Sequence, residues 1–469
     1  MSPAQRGSRI PIAAGLVALV AHAPAQETVR GAPGDGAVRI VRALRDPDPP
    51  PLEELARELA REHPAPVADL LAMLERRRVP ALEGAPPQAL SEPQQELILA
   101  ALSLSDRGAV YAGVAARLEE SLDVPARVVA IQVLGGLAYA NELSTLFDLA
   151  LISVGEVLDG RVEAAFQRSL ARTLARDPAG YHALGKLWRR ARPELLPALI
   201  FALGQARDPR GLELLSELIA WRPEHAVHAI SQVRRLGPGD SPALNSRVCE
   251  EIRTFLDPTE VESCRAASAA LAAMQDCDSV GALIDLLEHE SAGVRGNAHW
   301  ALREISGLAF GPQRHMWAMW HESELRWLEQ QHADVLARLV SDDAGQVASA
   351  IRSLSERGLY RRERAGELAA LLSVAPPAQK VLACNGLARL RSASAVPELI
   401  ETLEVFPGEA GRAAWTALRE ITGLDLPQDA AAWRSPERGG GESRATAGER
   451  SVVLDLGPLR RRALAPVPD

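Results

Sequence analysis

Ala301-Leu302-Arg303-Glu304-Ile305 and, 116 residues further on, Ala417-Leu418-Arg419-Glu420-Ile421 are the same five residues. Extended outward without a gap, the pairing aligns 264–317 with 380–433 and gives 17 identities in 54 positions, among them Gly307 over Gly423 and Trp317 over Trp433. Chance does not produce that, so the chain repeats itself. Within a copy, Ala269-Ala270-Leu271-Ala272 ends one helix, Asp276-Cys277-Asp278 breaks it, and Val280, Leu283, Ile284 and Leu287 resume at helical spacing. The phrase recurs upstream: Ala202-Leu203-Gly204 leads to Leu212, Leu215, Leu218 and Ile219, and Val133-Leu134-Gly135-Gly136-Leu137 leads to Leu143, Leu146 and Leu149.

Marking helix ends by Leu134, Leu170, Leu203, Leu271, Leu302, Leu354, Leu387 and Leu418 gives steps of 31 to 36 residues, or about twice that. A period of that length means paired helices stacked side by side, because one pair is too small to bury its own apolar face. The step from 302 to 354 is 52 residues and implies an insertion of about 20 residues, assigned to a Trp-containing segment at 308–334.

Composition agrees with an array of helices. Of 469 residues, 47% are hydrophobic but only 4% aromatic, and Thr occurs nine times, so strand formers are scarce. A large all-β domain is excluded and a parallel α/β enzyme disfavoured. No apolar run approaches the roughly 20 residues that span a bilayer, so no membrane insertion is expected once a leader is removed. Net charge is −9, from 52 basic and 61 acidic residues. That argues against nucleic acid as a partner, since phosphate contact needs a concentrated basic surface. Lys186 and Lys380 are the only lysines, and so uniform a bias gives arginine abundance no functional weight.

The first residues carry Arg6 and Arg9, a mostly apolar stretch from Ile10 to Ala21, and the small-x-small exits Ala21-His22-Ala23 and Ala23-Pro24-Ala25. This is the grammar of a secretory signal peptide over 1–25, which predicts a periplasmic or secreted protein. Residues 26–36 read as a linker, 37–124 as an irregular helical N-terminal cap broken at Pro64-Ala65-Pro66 and Pro86-Pro87, 125–434 as the repeat array, and 435–469, through Gly439-Gly440-Gly441, as a disordered tail.

Val294-Arg295-x-x-Ala298-x-x-Ala301-Leu302, with Ala126-Arg127-x-x-Ala130-x-x-Val133-Leu134 and Cys264-Arg265-x-x-Ser268-x-x-Leu271-Ala272, resembles the HEAT-repeat (armadillo-like) family, of the short type also found in phycobilin-lyase-like HEAT proteins. The resemblance covers 125–423 and implies an all-α fold, a right-handed α-α superhelix of the HEAT-solenoid type. In that family the Arg of the second helix joins an Asp six residues earlier in a polar ladder. Here the positions six before Arg127, Arg265 and Arg295 are Ser121, Thr259 and His289, so the ladder is degenerate. The run Gly307-Leu308-Ala309-Phe310-Gly311 to Trp317-x-x-Trp320, and Leu418-Arg419-Glu420-Ile421-Thr422-Gly423 to Trp433, also looks like a Trp-bearing segment of exported bacterial HEAT proteins. It names a structural element, not an activity.

No catalytic, cofactor or metal site is expected. Gly180-Tyr181-His182-Ala183-Leu184-Gly185-Lys186 fits G-x-x-x-x-G-K, but Leu187 stands where magnesium needs a hydroxyl, and the stretch reads as helix. His225 and His228 beside Glu224 lack a third ligand with diagnostic spacing, and Asp342-Asp343 reads as a helix cap. Cys249, Cys264, Cys277 and Cys384 form no C-x-x-C pair; Cys249 either bridges Cys264 or Cys277 or remains a buried thiol. The tryptophans Trp300, Trp317, Trp320 and Trp327 crowd into 28 residues, either as packing or as a partner surface, and packing is favoured on area.

These readings lead to a non-catalytic exported scaffold that binds a protein partner along its concave face. Arg295, His299 and Arg303, four apart, form one stripe of a second helix, Arg419 matches Arg303 in the later copy, and Trp320, present in one copy, is the candidate contact of the inserted segment. The competing readings are a lyase-like or hydrolytic enzyme on a HEAT scaffold, which needs convergent polar groups in a pocket, and a nucleic-acid-binding HEAT-like protein, which needs a basic face.

Overall fold

The computed structural model describes residues 41–42, 44–45, 57, 67–81, 86–137, 139–140, 143–151, 159–191, 193–406 and 408–434. The expected signal peptide, linker and C-terminal tail lie outside the described residues. The chain divides into two compact units, Met1–Gln232 and Val233–Asp469.

The first unit holds α1 (Val67–Arg76), α2 (Glu92–Leu104), α3 (Arg107–Glu120), α4 (Val124–Leu137), α5 (Leu143–Leu151), α6 (Gly160–Arg176), α7 (Ala179–Leu187), α8 (Leu196–Ala206) and α9 (Gly211–Trp221). The boundary falls inside α10 (Ala226–Leu236). In the second unit follow α11 (Pro242–Arg253), α12 (Val261–Met274), α13 (Val280–Asp285), α14 (Ala292–Ser306), α15 (Arg314–Gln330), α16 (His332–Leu339), α17 (Ala344–Ser355), α18 (Arg361–Val374), α19 (Pro377–Leu390), α20 (Val396–Val405), α21 (Glu409–Thr422) and α22 (Ala430–Arg434).

Stacking is of the solenoid kind. Consecutive helices pair across short turns, as α13 with α14, α18 with α19 and α20 with α21, and second helices also pack on one another, α4 on α6, α6 on α8, α12 on α14, and α17 on α19 on α21. The fold is an all-α solenoid, as the repeat period implies. Close approach of second helices has a sequence cause at Gly135, where an added Cβ would lie 2.2 Å from Ser169 Cβ; the Ser169 hydroxyl donates to the Ile131 carbonyl at 2.9 Å.

Helix ends follow from local chemistry. The side chains of Asp106, Asp159, Ser241 and Asp343 accept from backbone N–H groups of the first turns of α3, α6, α11 and α17. Arg207, Gln275 and Arg391, each four residues after a marker leucine, take left-handed conformations that stop α8, α12 and α19. One departure from an all-helical reading lies between α1 and α2, where Arg78–Val79 pairs antiparallel with Gln88–Ala89. Pro80, Pro86 and Pro87 deny that stretch a helix and leave the backbone extended. Among the described residues no single helix is long and apolar enough to cross a membrane.

Candidate functional site

The inserted segment is built on an element that occurs twice. In each copy a glycine, Gly307 (φ 73°) or Gly423 (φ 71°), ends the second helix in the left-handed region. Its N–H donates to the carbonyl of Arg303 or Arg419, both at 2.8 Å. The hydroxyl before it, Ser306 or Thr422, donates to Leu302 or Leu418 at 2.7 Å and accepts from Leu308 or Leu424 N–H at 3.1 and 3.2 Å. An extended run then carries the chain back along the helix to a buried tryptophan, whose indole donates to a carbonyl six residues earlier: Trp317 to Gly311 at 2.8 Å, Trp433 to Pro427 at 2.9 Å. Trp317 joins the core that holds Leu302 and Ile305, and Trp433 the core that holds Leu418 and Ile421.

The five residues read as partner-binding, the stripe Arg295, His299 and Arg303 together with Arg419 and Trp320, have different surroundings. His299 is half-buried, donates to the Phe310 carbonyl at 2.8 Å and meets the Trp317 ring edge-on at 6.2 Å. It serves the element from within. Arg295 is exposed but folds back, its Nη1 donating to the carbonyls of His289 (2.6 Å) and Glu290 (2.7 Å). The guanidinium therefore reaches the residue six positions earlier through its backbone carbonyl. Arg303 is exposed. Arg419 is exposed, pairs with Asp425 at 2.8 Å and lies over the Trp415 ring at 4.8 Å. Trp320 is half-buried against the Trp317 core, edge-on to Trp317 at 5.7 Å, and a Cβ at Gly358 would come within 3.3 Å of it. Among the apolar groups that α15 exposes are Met316 (43% exposed) and Met319 (68%), which helical spacing puts beside Trp320, and Leu325 (46%) further along the helix.

The inner face of α15 carries charge into the core. Glu324 is buried and its carboxylate meets Arg364 Nη1 at 3.4 Å, Arg357 Nη1 at 3.5 Å and the Leu359 N–H at 3.0 Å. Both guanidinium groups lie over the Trp327 ring, at 4.9 Å for Arg364 and 5.0 Å for Arg357. Arg364 is only 1% exposed, and burial pushes its pKa below the ordinary guanidinium range, opposed mainly by Glu324. Beside this cluster lies a cavity of about 380 Å³ lined by Leu328, His332, Tyr360, Glu363, Arg364 and Glu367. His332 Nε2 and Glu367 Oε1 are 3.1 Å apart. Arg364 Nε and Nη2, Glu367 Oε2 and Trp327 Nε1 are buried without a hydrogen-bond partner. Periodicity could not single these residues out, because Arg364 sits among charged residues in Arg361-Arg362-Glu363-Arg364 and only the packed structure distinguishes it.

The remaining sequence candidates are structural. Gly180 to Lys186 lies inside α7, not in a strand-to-helix loop. His225 ends a short 3₁₀ turn and His228 packs edge-on to Phe201 at 6.2 Å. Among the described residues no group of three or more His, Cys, Asp or Glu side chains is placed to hold a metal ion. All four cysteines are free and buried, which decides the cysteine alternatives for thiols; burial pushes Cys249, Cys277 and Cys384 up to about 12. At neutral pH they are uncharged and unreactive.

No family profile matches the chain, and no curated protein is similar to it. Among solved structures it is similar to importin beta, crystallised in an ammonium sulfate condition, at 13% identity and a TM-score of 0.32, covering 88% of this chain and 68% of that one.

Proposed function

We propose that the chain is an exported, non-catalytic scaffold that takes a protein partner on the face formed by its second helices and on the outer side of the inserted helix. The observation that carries this reading is the division of α15: Trp317, Glu324 and Trp327 fix its inner side, while Met316 and Met319 stand exposed beside half-buried Trp320. Methionine adapts its shape to a partner, and exposing it on a rigidly held helix favours docking over packing. Arg303 and Arg419 supply exposed charge at matching positions of two second helices. Export rests on the leader-like 1–25 segment, and the periplasm or exterior is the compartment it names.

The test is affinity capture from the native host with the mature protein and with a Met316→Asp/Met319→Asp double variant. A protein held by the parent and lost by the variant, at unchanged melting temperature, supports the reading; equal capture by both refutes the assigned surface. Mass spectrometry of native protein that retained Ser2 to Leu19 in the cytosolic fraction would refute export.

A further inference from the structure

The cavity between α15, α16 and α18 carries an unanswered set of hydrogen-bonding groups. Arg364 uses Nη1 on Glu324 and leaves Nε and Nη2 without a partner. Those two atoms are one edge of the guanidinium, the edge that elsewhere in this chain grips carboxylates: Arg117 holds Glu75 through Nε at 2.7 Å and Nη2 at 2.5 Å, and Arg253 holds Asp276 through Nε at 2.9 Å and Nη2 at 3.2 Å. A planar edge with two parallel N–H groups matches a carboxylate in shape as well as charge. Leaving it buried and empty is costly, since an orphaned buried donor loses about 1–3 kcal/mol and a charged one more. Glu367, which lines the same cavity, keeps Oε1 on His332 and leaves Oε2 without a donor.

We propose that this cavity binds a small zwitterion of the α-amino acid class, its carboxylate on the open edge of Arg364 and its ammonium group on Glu367. Charge selects the zwitterion. Among the residues that line the cavity one guanidinium, Arg364, stands against two carboxylates, Glu363 and Glu367, with the His332 imidazole beside Glu367. A bare carboxylate would add to that negative excess, and a bare amine would leave the Arg364 edge empty. A zwitterion adds no net charge and answers both orphans. The volume, about 380 Å³, falls in the range of small-molecule sites, roughly 300–1,000 Å³. Leu328 and the Tyr360 ring give the side chain an apolar wall, which favours an apolar or aromatic amino acid. Both orphan groups are buried, so seating the ligand requires the Arg364 and Glu367 side chains to turn toward the cavity they line.

Calorimetric titration of the full chain with L-leucine and L-phenylalanine, beside isovalerate as the carboxylate half and isoamylamine as the amine half, tests this. The expected result is saturable binding of at least one amino acid, about tenfold tighter than either half-ligand. Glu367→Gln, at a half-buried position, should weaken the amino acid by about tenfold and leave isovalerate unaffected. Arg364→Lys, which keeps a cation for Glu324 but removes the fork, should abolish binding; if that variant does not fold, the Glu367→Gln comparison decides alone. Absence of binding by both amino acids would mean that water alone fills the cavity and would overturn the proposal. So would half-ligands that bind equally well, or a Glu367→Gln variant indistinguishable from the parent.

Discussion

Arg361 closes the stack of the second unit, and replacing it should cost more than any exposed arginine. Its Nε donates to the Ile305 carbonyl at 2.9 Å, Nη1 to Leu390 at 3.2 Å, and Nη2 to Gln275 Oε1 at 3.2 Å and to Glu304 at 2.5 Å. One guanidinium therefore ties the C-terminal ends of α14 and α19 to the stop residue of α12, where the helix dipoles favour a cation. Gly307 makes room for it: a Cβ there would lie 2.6 Å from Nη1, at a φ that already disfavours other residues. In Arg361→Met the Glu304 carbonyl retains Gln275 Nε2 at 3.2 Å, whereas the Ile305 and Leu390 backbone carbonyls lose the partner described and the half-buried Gln275 Oε1 loses Arg361 Nη2 as well. Two orphaned carbonyls at about 1–3 kcal/mol each make a loss of roughly 2–6 kcal/mol. Against this stands the relief of burying a cation, for burial pushes the Arg361 pKa below its ordinary range. The net expectation is a loss of about 3 kcal/mol, read from urea melts followed by tryptophan fluorescence, with Arg361→Lys intermediate because an ammonium reaches fewer acceptors. A Met variant as stable as the parent would show that desolvation cancels the bonds and refute the reasoning. A Lys variant as stable as Arg would show that charge alone, not the fork, closes the stack.

Trp317→Ala and Trp433→Ala should each lower stability by about 3–5 kcal/mol, the cost of deleting a buried large aromatic, while half-buried Trp320→Ala should cost less in the same urea melts. Burial holds the His321 pKa below its ordinary value, so this group adds stability above about pH 6.5 that is lost as pH falls through the depressed folded value; His321→Gln should flatten the melting temperature between about pH 7 and pH 5. The four buried thiols should resist iodoacetamide in the native protein near about pH 7.5, and all should label after unfolding; labelling of Cys277 in the native state would contradict the packing around it.

The fold was legible because its determinants are periodic: the marker leucines, the Ala-Leu helix ends and the 116-residue offset are properties of spacing, and stacking follows from spacing. The buried tryptophans were legible for the same reason, since Trp317 and Trp433 keep register across two copies. The candidate cavity was not legible. Glu324, Arg364 and Glu367 are separated by up to 43 residues, the first on the inserted helix and the other two on α18. A charged residue inside an amphipathic pattern reads as solvent-facing, and only the insertion, by covering α18, turns Arg364 inward. His299 was misplaced for a related reason. Its spacing from Arg295 and Arg303 puts it on an outward stripe of an isolated helix, but the extended run after Gly307 folds back over His299 and takes its ring N–H, while Arg295 and Arg303 stay exposed.

That run explains why the two copies differ where they do. His299 stands where Trp415 stands in the later copy, and the acceptors correspond as well: His299 donates to Phe310 at 2.8 Å, Trp415 to Leu426 at 2.8 Å. An imidazole and an indole share little in volume, but both present a ring N–H at a similar reach from the backbone. The requirement at this position is therefore a donor that satisfies the carbonyl of the returning strand, which would otherwise be partly buried without a partner. Beyond the run the copies part. The earlier one continues through Trp317 along the seventeen-residue α15 and builds the charged core of Glu324 and Arg364, whereas the later one has, among the described residues, the five-residue α22, which Arg434 anchors to Glu404. The shared element fixes where the next helix starts, and in the earlier copy that helix runs on past its own core to pack against α18 and form one wall of an open cavity there.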